Sequence, residues 1–192
     1  MCGIDFDKKE RARMTPALFD KLCAEIASYK DHVEKVMLYL DCAPLLDKEL
    51  GKRVRKMKDA GVRRVNIATN ASILDEKRSR ELIEAGLNEI YITIDSLKKD
   101  VYEKIRVRLN FEDVYGNTRR FIQLRDELNP KLGIRLQMVL QELNQDEGPG
   151  FEEHWKRYLS PNDQIAVQRA HNWAGAAKVM AFGDENQVNN IP

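Results

Sequence analysis

A chain of 192 residues has room for one domain with a real core, and is too short for two to be expected. Its 43% hydrophobic and 33% charged residues are those of a globular chain, and a formal net charge of +1 gives no electrostatic case for a nucleic-acid or anionic-membrane partner. No apolar run approaches the ~18 residues of a membrane span and no signal-peptide pattern opens the chain, so a cytoplasmic location is expected.

In chain order, Thr15 and Pro16 read as the cap and first residue of a helix with Leu18, Phe19, Leu22, Cys23 and Ile26 on its apolar stripe. Val36 to Leu40 is a continuous apolar run, a buried strand. Asp47 is expected to cap the next helix, which carries Leu50, Val54 and Met57 inward and Lys52, Arg53, Arg55, Lys56 and Lys58 outward, and Gly61 ends it. Val65 to Thr69 is a strand, Asp75 caps a helix closed by Gly86, and Ile90 to Asp95 is the next strand. Val101, Tyr102 and Ile105 mark a short helix, and a longer one runs from Phe111 to Leu128 before Asn129-Pro130. Ile134 to Gln141 and Ile165 to Ala170 are further strands, separated by a helix face of Phe151, Trp155, Tyr158 and Leu159.

Alternating strands and helices imply an α/β fold with a parallel sheet, either a barrel or a doubly wound sheet. Strand interiors favour the barrel. Ile90, Ile92 and Ile94, like Ile134, Leu136, Met138 and Leu140, alternate with Tyr91, Thr93 and Asp95 or with Arg135, Gln137 and Gln141. Period-two alternation puts helices over one face and a polar lumen on the other. A wide, partly open barrel around a polar ligand fits this pattern, with a solvated sheet face as the alternative.

Function is expected at the C-terminal strand ends. These read Asp41-Cys42-Ala43-Pro44, Thr69-Asn70-Ala71-Ser72, Asp95-Ser96, Gln141 to Asn144 and Arg169 to Trp173. They are rich in hydrogen-bonding groups, with no Ser-His-Asp pattern, glycine-rich phosphate loop or zinc spacing among them. Cys2, Cys23 and Cys42 are too widely spaced for a disulfide framework or a zinc site. His32 and His154 read as surface residues, and His171 as structural or substrate-facing.

Tyr39-Leu40-Asp41 with Pro44-Leu45-Leu46, Ala68-Thr69-Asn70-Ala71, and Ile92 to Ser96 followed by Tyr102 to Arg106 resemble the core of radical S-adenosylmethionine (radical SAM) enzymes. The likeness is greatest to the branch with a C-terminal cysteine-rich (SPASM or twitch-like) extension. It implies a partial (β/α)6 TIM-like barrel whose first strand lies upstream, with residues 1–173 as an incomplete core and 174–192 as a tail or linker. It also implies a [4Fe–4S] cluster and S-adenosylmethionine as cofactors, an external electron donor, and a small-molecule or peptide substrate, with no nucleic acid or membrane partner. Cys2 matches the third cysteine of the family's CxxxCxxC loop and is the expected cluster ligand. The first two cysteines would lie upstream, so the chain as written is expected to be inactive.

Asp41, Asn70, Thr93, Gln137 and Arg169 are the expected cofactor-binding residues. Where the family has Gly-Glu-Pro, this chain has Cys42-Ala43-Pro44 after Asp41, which favours the competing expectation of a half-barrel scaffold without the cofactor. A metal- or Schiff-base-type barrel lyase ranks last, since no lysine falls on the lumen side of a predicted strand.

Overall fold

The computed structural model describes residues 13–40 and 43–170. Five strands, β1 (Lys35–Met37), β2 (Arg64–Thr69), β3 (Glu89–Thr93), β4 (Gly133–Leu140) and β5 (Gln164–Arg169), form one parallel sheet in the order β1-β2-β3-β4-β5. Each strand neighbours the next one in sequence. That is the winding of a βα barrel; a doubly wound sheet reverses its order at a switch point. The helices are α1 (Pro16–Ser28), α2 (Leu50–Asp59), α3 (Glu76–Glu84), α4 (Lys99–Ile105), α5 (Phe111–Leu128) and α6 (Gly148–Lys156). No helix among the described residues is long and apolar enough to cross a membrane.

Local chemistry sets the helix ends. Thr15 and Asp75 accept hydrogen bonds from the backbone N–H groups of Leu18 and Arg78, at 3.2 and 2.8 Å, and Asn110 does the same for Asp113 at 3.1 Å. Gly61 and Gly86, both at φ +87°, leave α2 and α3 through the left-handed region. Asp47 does not cap α2 as expected. Pro44–Leu46 forms a 3-10 turn, Asp47 Oδ1 takes the Glu49 N–H at 2.9 Å, and the helix starts at Leu50.

The core lies between the helices and one face of the sheet. Its rows run across the register as Ile67–Ile90–Ile134 and Thr69–Ile92–Leu136–Ile165, and Ile67, Ile90 and Ile92 are wholly buried. Helix residues Val54, Met57, Leu82, Val114, Phe121 and Phe151 close over them. Tyr91 and Thr93, the intervening residues of β3, are only half-buried on the opposite face.

Three expectations change in detail. Strand β1 has three residues rather than five, and Leu40 is 88% exposed beyond it. Leu18, placed on the apolar stripe of α1, is 48% exposed, while Phe19 and Cys23 of that stripe are buried. His154 is not a free surface residue: Tyr115 and Arg157 bind its two ring nitrogens.

At the N-terminal end of the sheet, Arg125 of α5 is completely buried. Its two terminal nitrogens bind the two carboxylate oxygens of Asp163 at 2.6 Å each, and Nη1 also donates to the Leu132 carbonyl at 2.7 Å. Asp163 in turn accepts the N–H groups of Ile134 and Ser160, so one ion pair ties α5 to the starts of β4 and β5.

Candidate functional site

Three expected residues stand in one rung on the lumen face. Thr93 pairs with Gln137 and Gln137 with Ala166, and continuing the β2–β3 register one residue past Thr69↔Ile92 brings Asn70 beside Thr93. All three are half-buried. Among the described residues, neither the Thr93 hydroxyl nor the Gln137 amide receives or makes a side-chain hydrogen bond. Asn70 Oδ1 is already occupied by the N–H and hydroxyl of Ser72, at 3.0 and 2.8 Å, so a further bond from Asn70 would be given by its amide nitrogen. The rung thus offers a hydroxyl and two amides at the C-terminal end of adjacent strands. This suits a polar, zwitterionic ligand such as S-adenosylmethionine, whose donors and acceptors need both kinds of partner.

The turn after Asn70 is tightly specified. Ala71 takes a left-handed backbone (φ 58°), is fully buried, receives the Asn117 amide on its carbonyl at 2.9 Å, and gives its own N–H to Thr69 Oγ1 at 3.0 Å. These bonds hold Asn70 at the sheet edge of its loop.

The rung is fixed from the other side by a buried network at the ends of β3 and β4. Asp95 is wholly buried; Oδ1 accepts the Val139 N–H at 3.0 Å and Oδ2 receives the Arg106 side chain. The Asn144 amide nitrogen donates to the carbonyls of Asp95 and Val139 at 2.5 and 3.0 Å, and its oxygen takes the Gln141 N–H at 2.7 Å. Glu147 completes the network by accepting from the Ser96 hydroxyl at 2.8 Å and the Leu97 N–H at 3.2 Å.

One rung below Thr93 stand Ala68, Tyr91, Arg135 and Gln164. Tyr39 meets Tyr91 edge-on at 6.4 Å, and the Arg135 guanidinium lies 5.2 Å from the Tyr91 ring centre. Lys35 donates to the Tyr91 hydroxyl at 3.2 Å and to Glu89 at 2.8 Å. Burial raises the Tyr91 phenol, but the Lys35 and Arg135 side chains outweigh it and hold the phenol below its ordinary value.

The remaining sequence candidates fall elsewhere. Asp95 was expected to face the lumen as a free polar group; its carboxylate is instead sealed and fully engaged. Arg169 is exposed and pairs with Leu140, which places it in the row of Ile165 and Val167 and not in that of Gln137 and Ala166. Counting by twos from Ile165 would have shown this. Cys2, Asp41 and Cys42, together with His171 to Trp173 and the tail, lie outside the described residues. Cys23 is buried against Met57 Sδ at 3.8 Å, and burial raises its thiol, so it is a core residue. The bonding roles of Asn144 and Arg106 were not foreseen, because they depend on partners five to forty-nine residues away.

A profile of the Radical SAM superfamily matches residues 1–127. The GTP 3′,8-cyclase of Chlorobaculum tepidum is 29% identical over 71% of this chain and 42% of its own length. A probable GTP 3′,8-cyclase of Methanococcus maripaludis is 31% identical over 42% of this chain and 27% of its own. The chain thus spans less than half the length of these curated relatives. Among solved structures, Streptococcus suis SuiB bound to S-adenosylmethionine superposes with a TM-score of 0.67 at 12% identity, over 93% of this chain and 40% of SuiB. The enzyme anSMEcpe with bound AdoMet gives 0.65 at 12% identity, over 85% of this chain and 45% of that one. At such identities the likeness establishes the fold, a partial TIM-like barrel.

Proposed function

Because the chain belongs to the radical SAM superfamily, we propose that its Asn70–Thr93–Gln137 rung binds S-adenosylmethionine in a radical SAM enzyme. The family's cofactors are that molecule and a [4Fe–4S] cluster, which together supply a 5′-deoxyadenosyl radical for hydrogen abstraction from substrate. The observation that carries the proposal is the rung itself: three half-buried polar side chains in register at the C-terminal strand ends, where barrel folds place their chemistry.

In this proposal Thr93 and Gln137 give hydrogen bonds to the cofactor's polar groups, and Asn70 donates through its amide nitrogen. Asp41 supplies the carboxylate for the methionyl amino group that the family's Glu usually provides, and Cys2 is one thiolate of the cluster. Residues 1–173 form the core and 174–192 a tail or linker. The substrate is polar, and relatives named as GTP cyclases support a small molecule over a peptide.

The altered loop Asp41-Cys42-Ala43-Pro44 favours a second reading, a half-barrel scaffold that has lost the cofactor. Anaerobic reconstitution of the full-length protein separates the two. The enzyme reading expects close to four irons and four sulfides per chain, a reduced-cluster signal in electron paramagnetic resonance that changes on adding S-adenosylmethionine, and 5′-deoxyadenosine after dithionite reduction. It further expects Cys2→Ser to lose the cluster. A folded full-length protein without iron and without 5′-deoxyadenosine would establish the scaffold.

A further inference from the structure

Resting on the cofactor assignment above, we propose that the lumen rung directly beneath the cofactor row is an oxyanion site, with Arg135 as its principal donor, for a substrate carboxylate or phosphate. Charge is the first ground. In this rung and the two below it, Lys35, Arg64 and Arg135 contribute positive charge and Glu89 is the carboxylate. Both Glu89 oxygens are taken, Oε2 by Lys35 and Oε1 by Arg64. Arg135 therefore has no carboxylate partner among the described residues, although it is half-buried on the lumen face and its Nε is sealed from solvent without a hydrogen bond. A partly desolvated guanidinium with unspent donors suits an oxyanion, which its planar fork binds through two parallel hydrogen bonds.

The second ground is Asn66, one rung lower. It is wholly buried on the same face, and neither its amide nitrogen nor its amide oxygen has a partner among the described residues. Buried polar groups are almost always satisfied, and an orphan of this kind marks a place where water or a ligand completes the bonding. Tyr39 and Tyr91 wall the site on the β1–β3 side, and Tyr91 is held in place by Lys35. The site thus joins a cation, a phenol and an unpaired amide directly below the cofactor row.

The test uses the full-length protein and two probes, inorganic pyrophosphate for phosphate and malonate for carboxylate, titrated calorimetrically with S-adenosylmethionine titrated in parallel. At least one anion should bind saturably to the wild type. Its affinity should fall about 10- to 100-fold in Arg135→Gln, the usual weight of a charge-assisted hydrogen bond. Arg135→Lys, which keeps the charge and loses the fork, should fall between. S-adenosylmethionine affinity should stay within about twofold in both variants, since Arg135 lies outside the cofactor rung, and unchanged melting temperatures show that the variants fold. Which anion binds identifies the group. Saturable binding of neither anion, or equal anion affinity in wild type and Arg135→Gln, would overturn the proposal while leaving the cofactor assignment standing. Failure of S-adenosylmethionine to bind the wild type would instead refute the cofactor assignment.

Discussion

The Asp95 carboxylate accepts the backbone N–H of Val139 at 3.0 Å, so a side chain carries the β3–β4 ladder past its last regular pair, Thr93↔Gln137. Arg106 compensates the charge of this buried group. Replacing Asp95 by Ala strands the Val139 donor and the Arg106 cation together. The expected loss of stability is about 3–5 kcal/mol, the range for breaking a buried pair by removing one partner. Asp95→Asn keeps an acceptor for Val139 and should lose less. Urea unfolding of the three proteins, compared at one pH, measures the difference.

Arg125 and Asp163 make the second buried pair, and here pH is the handle. Burial pushes the Asp163 carboxyl up, but the Arg125 side chain and the backbone N–H groups of Ser160 and Ile134 outweigh it, and the net direction is down. A depressed carboxyl stabilises the fold above its unfolded value, ~3.9, and that contribution is lost as pH falls through the lower folded value. Stability measured from pH 7 down to pH 3 should therefore drop more steeply below about pH 4 in the wild type than in Asp163→Asn. At pH 7 Asp163→Asn should already be less stable by about 3–5 kcal/mol, because it leaves the Arg125 charge buried without its counterion.

His154 sits between Arg157, 2.8 Å from Nδ1, and the Tyr115 hydroxyl, 2.9 Å from Nε2, with Arg119 close by on the Tyr158 ring. Arg157 can only donate, so Nδ1 accepts and Nε2 carries the proton. Burial, then Arg157 and Arg119, lower the His154 value. The folded state keeps the ring neutral while the unfolded chain takes up a proton below ~6.5, so stability falls as pH drops through and below that value. His154→Phe should flatten the change in urea midpoint between pH 7.5 and pH 5.5, which denaturation at the two pH values reads directly.

The two faces of β3 should respond differently to truncation. Ile92 is wholly buried beneath the helices, and Ile92→Ala should lose about 2–5 kcal/mol. Thr93, next in sequence but half-buried on the lumen face, should lose less than about 1 kcal/mol on replacement by Ala. Equal losses at the two positions, measured by urea unfolding, would contradict the face assignment.

The β3 and β4 faces were legible in the sequence because their isoleucines and Leu136 alternate with polar residues over several repeats, and a period of two admits only one face assignment. The winding order was not fixed by local pattern; strand alternation permits a doubly wound sheet as well, and polar lumen positions were needed to favour the barrel. Strand β1 was overread because an apolar run at a sheet edge need not be paired along its length, as the exposed Leu40 shows. The ends of β3 and β4 escaped notice because Asp95 and Asn144 replace ladder bonds with side-chain ones, which leave no periodic trace. Arg125 looked like one more helix charge; its burial depends on Asp163, thirty-eight residues away. At the site, Asn70, Thr93 and Gln137 could be found from strand ends together with the family resemblance, whereas Arg169 was misplaced by taking the strand end without its parity.

Calorimetric titration of S-adenosylmethionine into the cluster-reconstituted full-length protein, wild type against Thr93→Ala, tests the assignment of the lumen rung most directly. Thr93 makes no side-chain bond to any described residue, so its loss should leave the fold intact and remove one cofactor hydrogen bond. Affinity should fall roughly 2- to 13-fold, the equivalent of about 0.5–1.5 kcal/mol. An unchanged affinity in a variant with an unchanged melting temperature would take Thr93 out of the site and contradict the assignment of this rung to the cofactor.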